Sequence, residues 1–185
     1  METFITSKDF VDNPDFHDQR KTCLSELDIR EIDAPIVELI SGLAELDYCF
    51  TLQSCYGHFL YNRQKNPYNI DPLPISNRIS TVEYKIAYIA ICIENSQQGK
   101  FLYQQLRDIP SMDPEYVQFG CAEWFWERQV NSYVLQVEPK RYMMKDKLSI
   151  DYWEALHIEK IRNNFFTQLK KLLQDLTGLG SPLGP

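Results

Sequence analysis

A chain of 185 residues and 21.8 kDa is long enough to bury a core without disulfide or metal staples, and 44% apolar with 24% charged residues excludes a disordered or low-complexity protein. The net charge of −7 is concentrated in the first half, where residues 1–95 carry 8 Lys+Arg against 15 Asp+Glu while residues 96–185 carry 11 of each, which excludes sequence-independent coating of nucleic acid. Five scattered cysteines, Cys23, Cys49, Cys55, Cys92 and Cys121, have no repeated short spacing, which excludes a disulfide framework and points to a reducing, cytoplasmic setting.

Asn13-Pro14 reads as a helix start, asparagine as cap and proline at the first helical position, with Phe16, Cys23, Leu24 and Leu27 as a partial apolar stripe to about Asp28. Asp33-Ala34-Pro35 repeats that grammar, and Ile36, Leu39, Ile40, Leu43 and Leu46 follow at spacings of three and four on one helical face. The run from Tyr48 to Tyr61 predicts strand, tight turn, strand: Tyr48, Phe50 and Leu52 alternate with Cys49, Thr51 and Gln53, and Ser54, Cys55, Gly57 and His58 fall at the turn. Residues 62–78, with Pro67, Pro72 and Pro74, form a long aperiodic loop, either a lid or an irregular excursion.

Thr81 to Glu94 predicts one long central strand, apolar on both faces. Ser96 caps a helix to about Ile109, whose buried side is Phe101, Leu102, Leu106 and Ile109. Residues 116–121, 123–128 and 132–137 predict short strands, Gly120 marking a bulge if the first two are continuous, and Asn131-Ser132 a turn. After Pro139 comes the basic cluster of residues 140–147, and Asp151 opens a long helix with Ala155, Ile158, Ile161, Phe165, Leu169, Leu172 and Leu176 on one face. The sum is a single α+β domain over residues 1–177, a mixed and largely antiparallel sheet packed by N-terminal helices and a long C-terminal helix, with a flexible tail at 178–185. The amino terminus has no basic segment followed by an apolar run. The longest apolar stretch, near residues 86–93, falls short of the roughly 20 residues of a membrane helix, so neither a signal peptide nor a membrane partner is expected.

The densest chemistry lies at Ser54-Cys55-Tyr56-Gly57-His58. Cys55 and His58 have the spacing of half a zinc site, but one C-x-x-H cannot close a tetrahedron, and His17 and His157 lie far away on predicted helices, so no metal is expected. A Cys55 thiolate activated by His58 is chemically sensible, although no orienting carboxylate is evident. The backbone N–H groups around Gly57 and the Ser54 hydroxyl could instead form a nest for a carboxylate or phosphate, and the plain alternative is a structural hairpin turn. Trp124 and Trp126 would share one strand face as a stacking platform, or be core. Lys140, Arg141, Lys145 and Lys147 could meet phosphates, or be solvated surface. No dinucleotide-binding, Walker, zinc-protease or serine-hydrolase motif is present in the sequence.

The residues from Asp15 to His58 resemble the family of the third tRNA wybutosine-synthesising protein, which carries two helices and then a strand ending in a T-x-S-C-S-G-R type motif. Here the motif reads Thr51-Leu52-Gln53-Ser54-Cys55-Tyr56-Gly57-His58, with Tyr56 at the small position and His58 at the arginine, which would make an anion contact weaker and pH-dependent. Around residue 120 the family leads one to expect a Ser-Gly pair, and this chain has Phe119-Gly120-Cys121-Ala122. The resemblance implies S-adenosylmethionine-dependent methyl transfer to a modified guanosine in tRNA on a fold unlike the Rossmann methyltransferases. On that reading the turn supplies Cys55 and His58 for catalysis and Ser54, Tyr56 and Gly57 for the ligand, while Trp124 and Trp126, from the strand pattern, and Lys140, Arg141, Lys145 and Lys147, from their charge, are the further candidates for ligand and tRNA. The rival expectation is a non-catalytic small-molecule or protein-binding module that keeps the fold.

Overall fold

The computed structural model describes residues 4–142 and 146–178. A short strand, β1 (Phe4–Ile5), leads through irregular chain to α1 (Phe16–Glu26). The expected cap does not form, because Asn13 gives its carbonyl to the Phe16 N–H and its side-chain amide to Gln19. A 3-10 turn over Ala34–Ile36 feeds α2 (Val37–Ala44), which buries Leu39, Ile40 and Leu43. Arg20 of α1 donates to the carbonyls of Ala44, Leu46 and Cys49, so the last turn of α2 finds its partners in a guanidinium.

Next come β2 (Cys49–Cys55), β3 (His58–Leu60), β4 (Thr81–Lys85), β5 (Ala87–Ile93), α3 (Gln97–Asp108), β6 (Val117–Ala122), α4 (Glu123–Arg128), β7 (Ser132–Val137), β8 (Lys147–Asp151) and α5 (Tyr152–Thr177). The fold is α+β, built on two sheets, ordered β1-β6-β7-β5-β2 and β3-β4-β8, in which every pairing among the described residues is antiparallel. One face of the larger sheet packs Ile89, Ile91, Ile93, Tyr133, Leu135 and Val137 against the buried sides of α2, α3 and α5. Ser96 caps α3 through the Gly99 N–H, and Asp151 caps α5 through the Trp153 and Glu154 N–H groups.

Several sequence expectations change. The stretch 48–61 is not a hairpin: β2 pairs with β5 and β3 with β4, so the Gly57 turn passes the chain from one sheet to the other. Pairing slips between Thr51 and Gln53; ahead of the slip Cys49 and Phe50 are both fully buried because both faces are covered, Cys49 in the main core and Phe50 against Phe16 and Cys92. Residues 81–94 form two strands in different sheets, with the ladder interrupted at Ile86. There the buried Tyr84 hydroxyl accepts from the Ala87 N–H and donates to the Val137 carbonyl. Residues 123–128 are helix, not strand. Phe101 is 55% exposed, whereas Leu102 and Leu106 are buried as expected. Strand β8 lies between the basic cluster, from which it takes only Lys147, and α5. The expected tail lies outside the described residues from position 179 on; Gly178 ends α5 in the left-handed region. No helix among the described residues is long and apolar enough to cross a membrane.

Candidate functional site

Ser54 and Cys55 end β2, Tyr56 and Gly57 make the turn, and His58 begins β3. Gly57 has φ +90°, and a Cβ there would stand 2.8 Å from the Ala87 Cβ, so both the backbone and the space demand glycine. The Gly57 carbonyl accepts from Arg162 Nη1 of α5 at 2.9 Å. The same guanidinium lies 4.2 Å from the centre of the Tyr56 ring, whose hydroxyl donates to Asn163 Oδ1 at 2.9 Å.

Asp33 arrives from the start of the second helical segment. Its Oδ2 accepts from the Tyr56 N–H at 2.8 Å and lies 3.2 Å from His58 Nε2, while His58 Nδ1 lies 3.1 Å from the Asn69 carbonyl. The Cys55 sulfur joins them, with one donor atom from each of Asp33, Cys55 and His58 within 4.8 Å of the other two. Asp33 reads in the sequence as a helix cap, yet it makes no cap bond; its carboxylate instead takes the Tyr56 N–H, one of the turn's backbone donors. Burial disfavours the His58 cation, but hydrogen bonds to Asp33, Cys55 and Asn69 outweigh it and raise the imidazole to about 10. Burial likewise opposes ionisation of Asp33, and its bonds to His58 and Tyr56, with the charges of His58 and Lys85, win and lower it. Chemically this is a thiol beside an imidazolium held protonated at neutral pH by a carboxylate, the last being the group that sequence reasoning missed. Cys55 is 5% and His58 2% exposed, so the sulfur is closed to a bulky substrate.

On the sheet face away from α5 lies a cavity of about 440 Å³, lined among others by Gln53, Lys85, Tyr88, Trp124, Gln136 and Glu138. Its floor is polar: the Gln136 amide donates to Glu138 Oε2 at 2.8 Å, and the Gln118 amide donates to the Glu138 carbonyl at 2.8 Å. Asp146 and Lys147 stand at its edge. Of the expected ligand residues, Trp124 lines this cavity, with the Arg128 guanidinium 3.6 Å over its ring. Trp126 does not share its face, because two residues on a helix diverge by about 200°; it packs against Tyr133 instead. Ser54, Cys55, Tyr56, Gly57 and His58 are not among the lining residues. Gln53, Tyr88, Gln136 and Glu138 were missed, although Gln136 interrupts the apolar run Tyr133 to Val137 and Glu138 follows it directly.

Arg141 pairs with Glu154, Lys147 lies 3.4 Å from Glu83, Lys140 is exposed, and Lys145 lies outside the described residues.

No protein-family model matches the chain, and no curated protein matches it. Among solved structures it is similar to the PH1069 protein from Pyrococcus horikoshii, at 13% identity over 91% of this chain and 97% of that one, with a TM-score of 0.46. A likeness of that degree carries no argument about function.

Proposed function

We propose that this protein is a divergent relative of the wybutosine-synthesis tRNA methyltransferases, binding a nucleoside or S-adenosylmethionine-like ligand in the cavity above Gln136 and Glu138 and methylating a modified tRNA base. The observation that carries the reading is the polar, charged floor set into an otherwise apolar sheet, at a volume within the usual range for small-molecule sites. The lining fits the group. Trp124 and Tyr88 offer aromatic faces, Gln53 and Gln136 offer carboxamides to a base edge, and Glu138 and Asp146 with Lys85 and Lys147 match the two charges of an amino-acid moiety. Bound S-adenosylmethionine would supply an electrophilic methyl on its sulfonium; the residues here would bind and orient it. Methyl transfer depends on positioning more than on acid–base groups, so the reading does not need an exposed Cys55. Lys147 belongs both to the basic segment and to the cavity wall, which would set tRNA phosphates beside the ligand. Five free thiols support a cytoplasmic setting.

The test is calorimetric titration with S-adenosylmethionine, its demethylated product and adenosine. Saturable heat that Gln136→Leu abolishes is the expected result; no heat at millimolar ligand overturns the reading. A second reading, a binding module without catalysis, is favoured by the closure of Cys55 and His58. Ligand binding without transfer of labelled methyl to tRNA, and without a salt-sensitive mobility shift of tRNA, would select it.

A further inference from the structure

The geometry points to a divalent metal site, zinc by its donor set, formed by Asp33, Cys55 and His58. It is independent of the cavity and of the ligand proposed there. One donor atom from each of the three residues lies within 4.8 Å of the other two. Donors on a zinc tetrahedron stand roughly 3.3–3.8 Å apart, given bonds of about 2.0–2.3 Å, so small movements would bring all three onto one ion. The contact between Asp33 Oδ2 and His58 Nε2, at 3.2 Å, is already of that size.

Three features favour an ion over a plain hydrogen-bonded cluster. First, the Asn69 carbonyl takes Nδ1, which leaves Nε2 facing the Asp33 carboxylate, and the Cys55 sulfur stands within 4.8 Å of the donor atoms of both residues. An ion at Nε2 would engage carboxylate and sulfur together. Second, Nδ1 donating to a backbone carbonyl is the arrangement that fixes a metal-bound histidine's tautomer and ring orientation. Third, a thiolate and a carboxylate with a neutral imidazole balance a dication, which removes the penalty of burying net charge. The ligands come from three places, the lead-in to α2, the end of β2 and the start of β3, and the turn between the last two is held by Gly57 and by Arg162, which is itself 3.7 Å from Glu159. Mixed thiolate, imidazole and carboxylate donors suit zinc better than magnesium or calcium. With three protein ligands, the fourth position falls to water on the side of Asp33, whose side chain is 17% exposed.

The test loads chelator-stripped full-length protein with Co²⁺ and, separately, with Zn²⁺. The expected result is one tightly held ion per chain and, for Co²⁺, the thiolate charge-transfer band together with tetrahedral visible bands. Cys55→Ser should lose the charge-transfer band and Cys121→Ser should keep it. X-ray absorption at the zinc edge of the wild type, which needs no variant to fold, should show one sulfur with nitrogen or oxygen neighbours. Absence of binding, a band that survives Cys55→Ser, or a shell with no sulfur or with several would overturn the site.

Discussion

At Gly57 two separate requirements meet, and a pair of substitutions separates them. The left-handed backbone disfavours any Cβ by about 1–2 kcal/mol, and the Ala87 Cβ at 2.8 Å, with its backbone at 3.1–3.2 Å, leaves no room for one. Gly57→Ala should therefore lower stability by about 2–4 kcal/mol, read as a fall in the urea midpoint. Gly178 also has positive φ, at +69°, but a Cβ there meets nothing within 4 Å. Gly178→Ala should show only the backbone part, about 1 kcal/mol. Equal effects would mean that Ala87 gives way. A glycine between polar turn residues is legible in the sequence because only the local chain imposes it. The partners of Cys55 and His58 were not: a carboxylate before Ala-Pro serves equally as a cap or as a buried partner, and only the tertiary fold, which puts Asp33 against the Tyr56 N–H, decides between them.

Helix α5 was the clearest element in the sequence because its period of three and four runs through its length, and it does more than cover a sheet. It fastens the long loop: Glu159 Oε1 accepts from the Leu73 N–H at 2.9 Å, and the Tyr152 hydroxyl accepts from the Ser76 N–H at 3.0 Å and donates to the Pro74 carbonyl. The loop returns a carbonyl, from Asn69, to His58. Residues 62–78 are thus an excursion anchored at several points. Tyr152→Phe should free residues 74–76 while removing little packing, so hydrogen exchange there should quicken by about five- to thirtyfold, equivalent to about 1–2 kcal/mol of local opening. Exchange in β5 and β7 should stay unchanged; uniform acceleration would mean that the hydroxyl supports the whole domain. Elements shorter than α5 were less legible for a physical reason. Glu123 to Arg128 sets Trp124 and Trp126 on either side of Phe125, which can be read with a strand's period, yet six residues also make less than two helical turns, and periodicity cannot arbitrate at that length. The run 81–94 looked continuous because its break, at Ile86, is made by strand partners far along the chain, β8 for β4 and β7 for β5, and not by a local breaker.

The division into two sheets is a property of the whole molecule, set by pairings between residues far apart in the chain, which a local pattern does not encode. The α+β class was legible because it needs only the tally of elements and their apolar faces. Burying thiols on both sides of the larger sheet, Cys49 and Cys121 in the main core and Cys92 in the cluster with Phe16 and Phe50, has a consequence for stability against pH. Burial pushes the Cys49 and Cys92 thiols up from 9.0 to about 12, and raises Cys121 and Cys23 as well. Below pH 9 these thiols are protonated in the folded and unfolded chain alike and contribute no pH dependence. Between 9 and 12 the unfolded chain releases protons that the folded chain keeps, so stability falls as pH rises, by up to about 1.4 kcal/mol per pH unit for each fully shifted thiol. In the metal-free protein the His58 pairing acts with the same sign: fully present below about 6.5, it is lost as pH rises through about 10. Urea midpoints measured from pH 7 to 11 should therefore decline, most steeply above 9. Cys49→Ala isolates the thiol contribution. It should lower stability at neutral pH through lost packing, since the side chain is fully buried, yet flatten the alkaline decline by the share of one thiol. A decline as steep as that of the wild type would mean that Cys49 ionises freely in the folded protein and that the core around it is open to hydroxide.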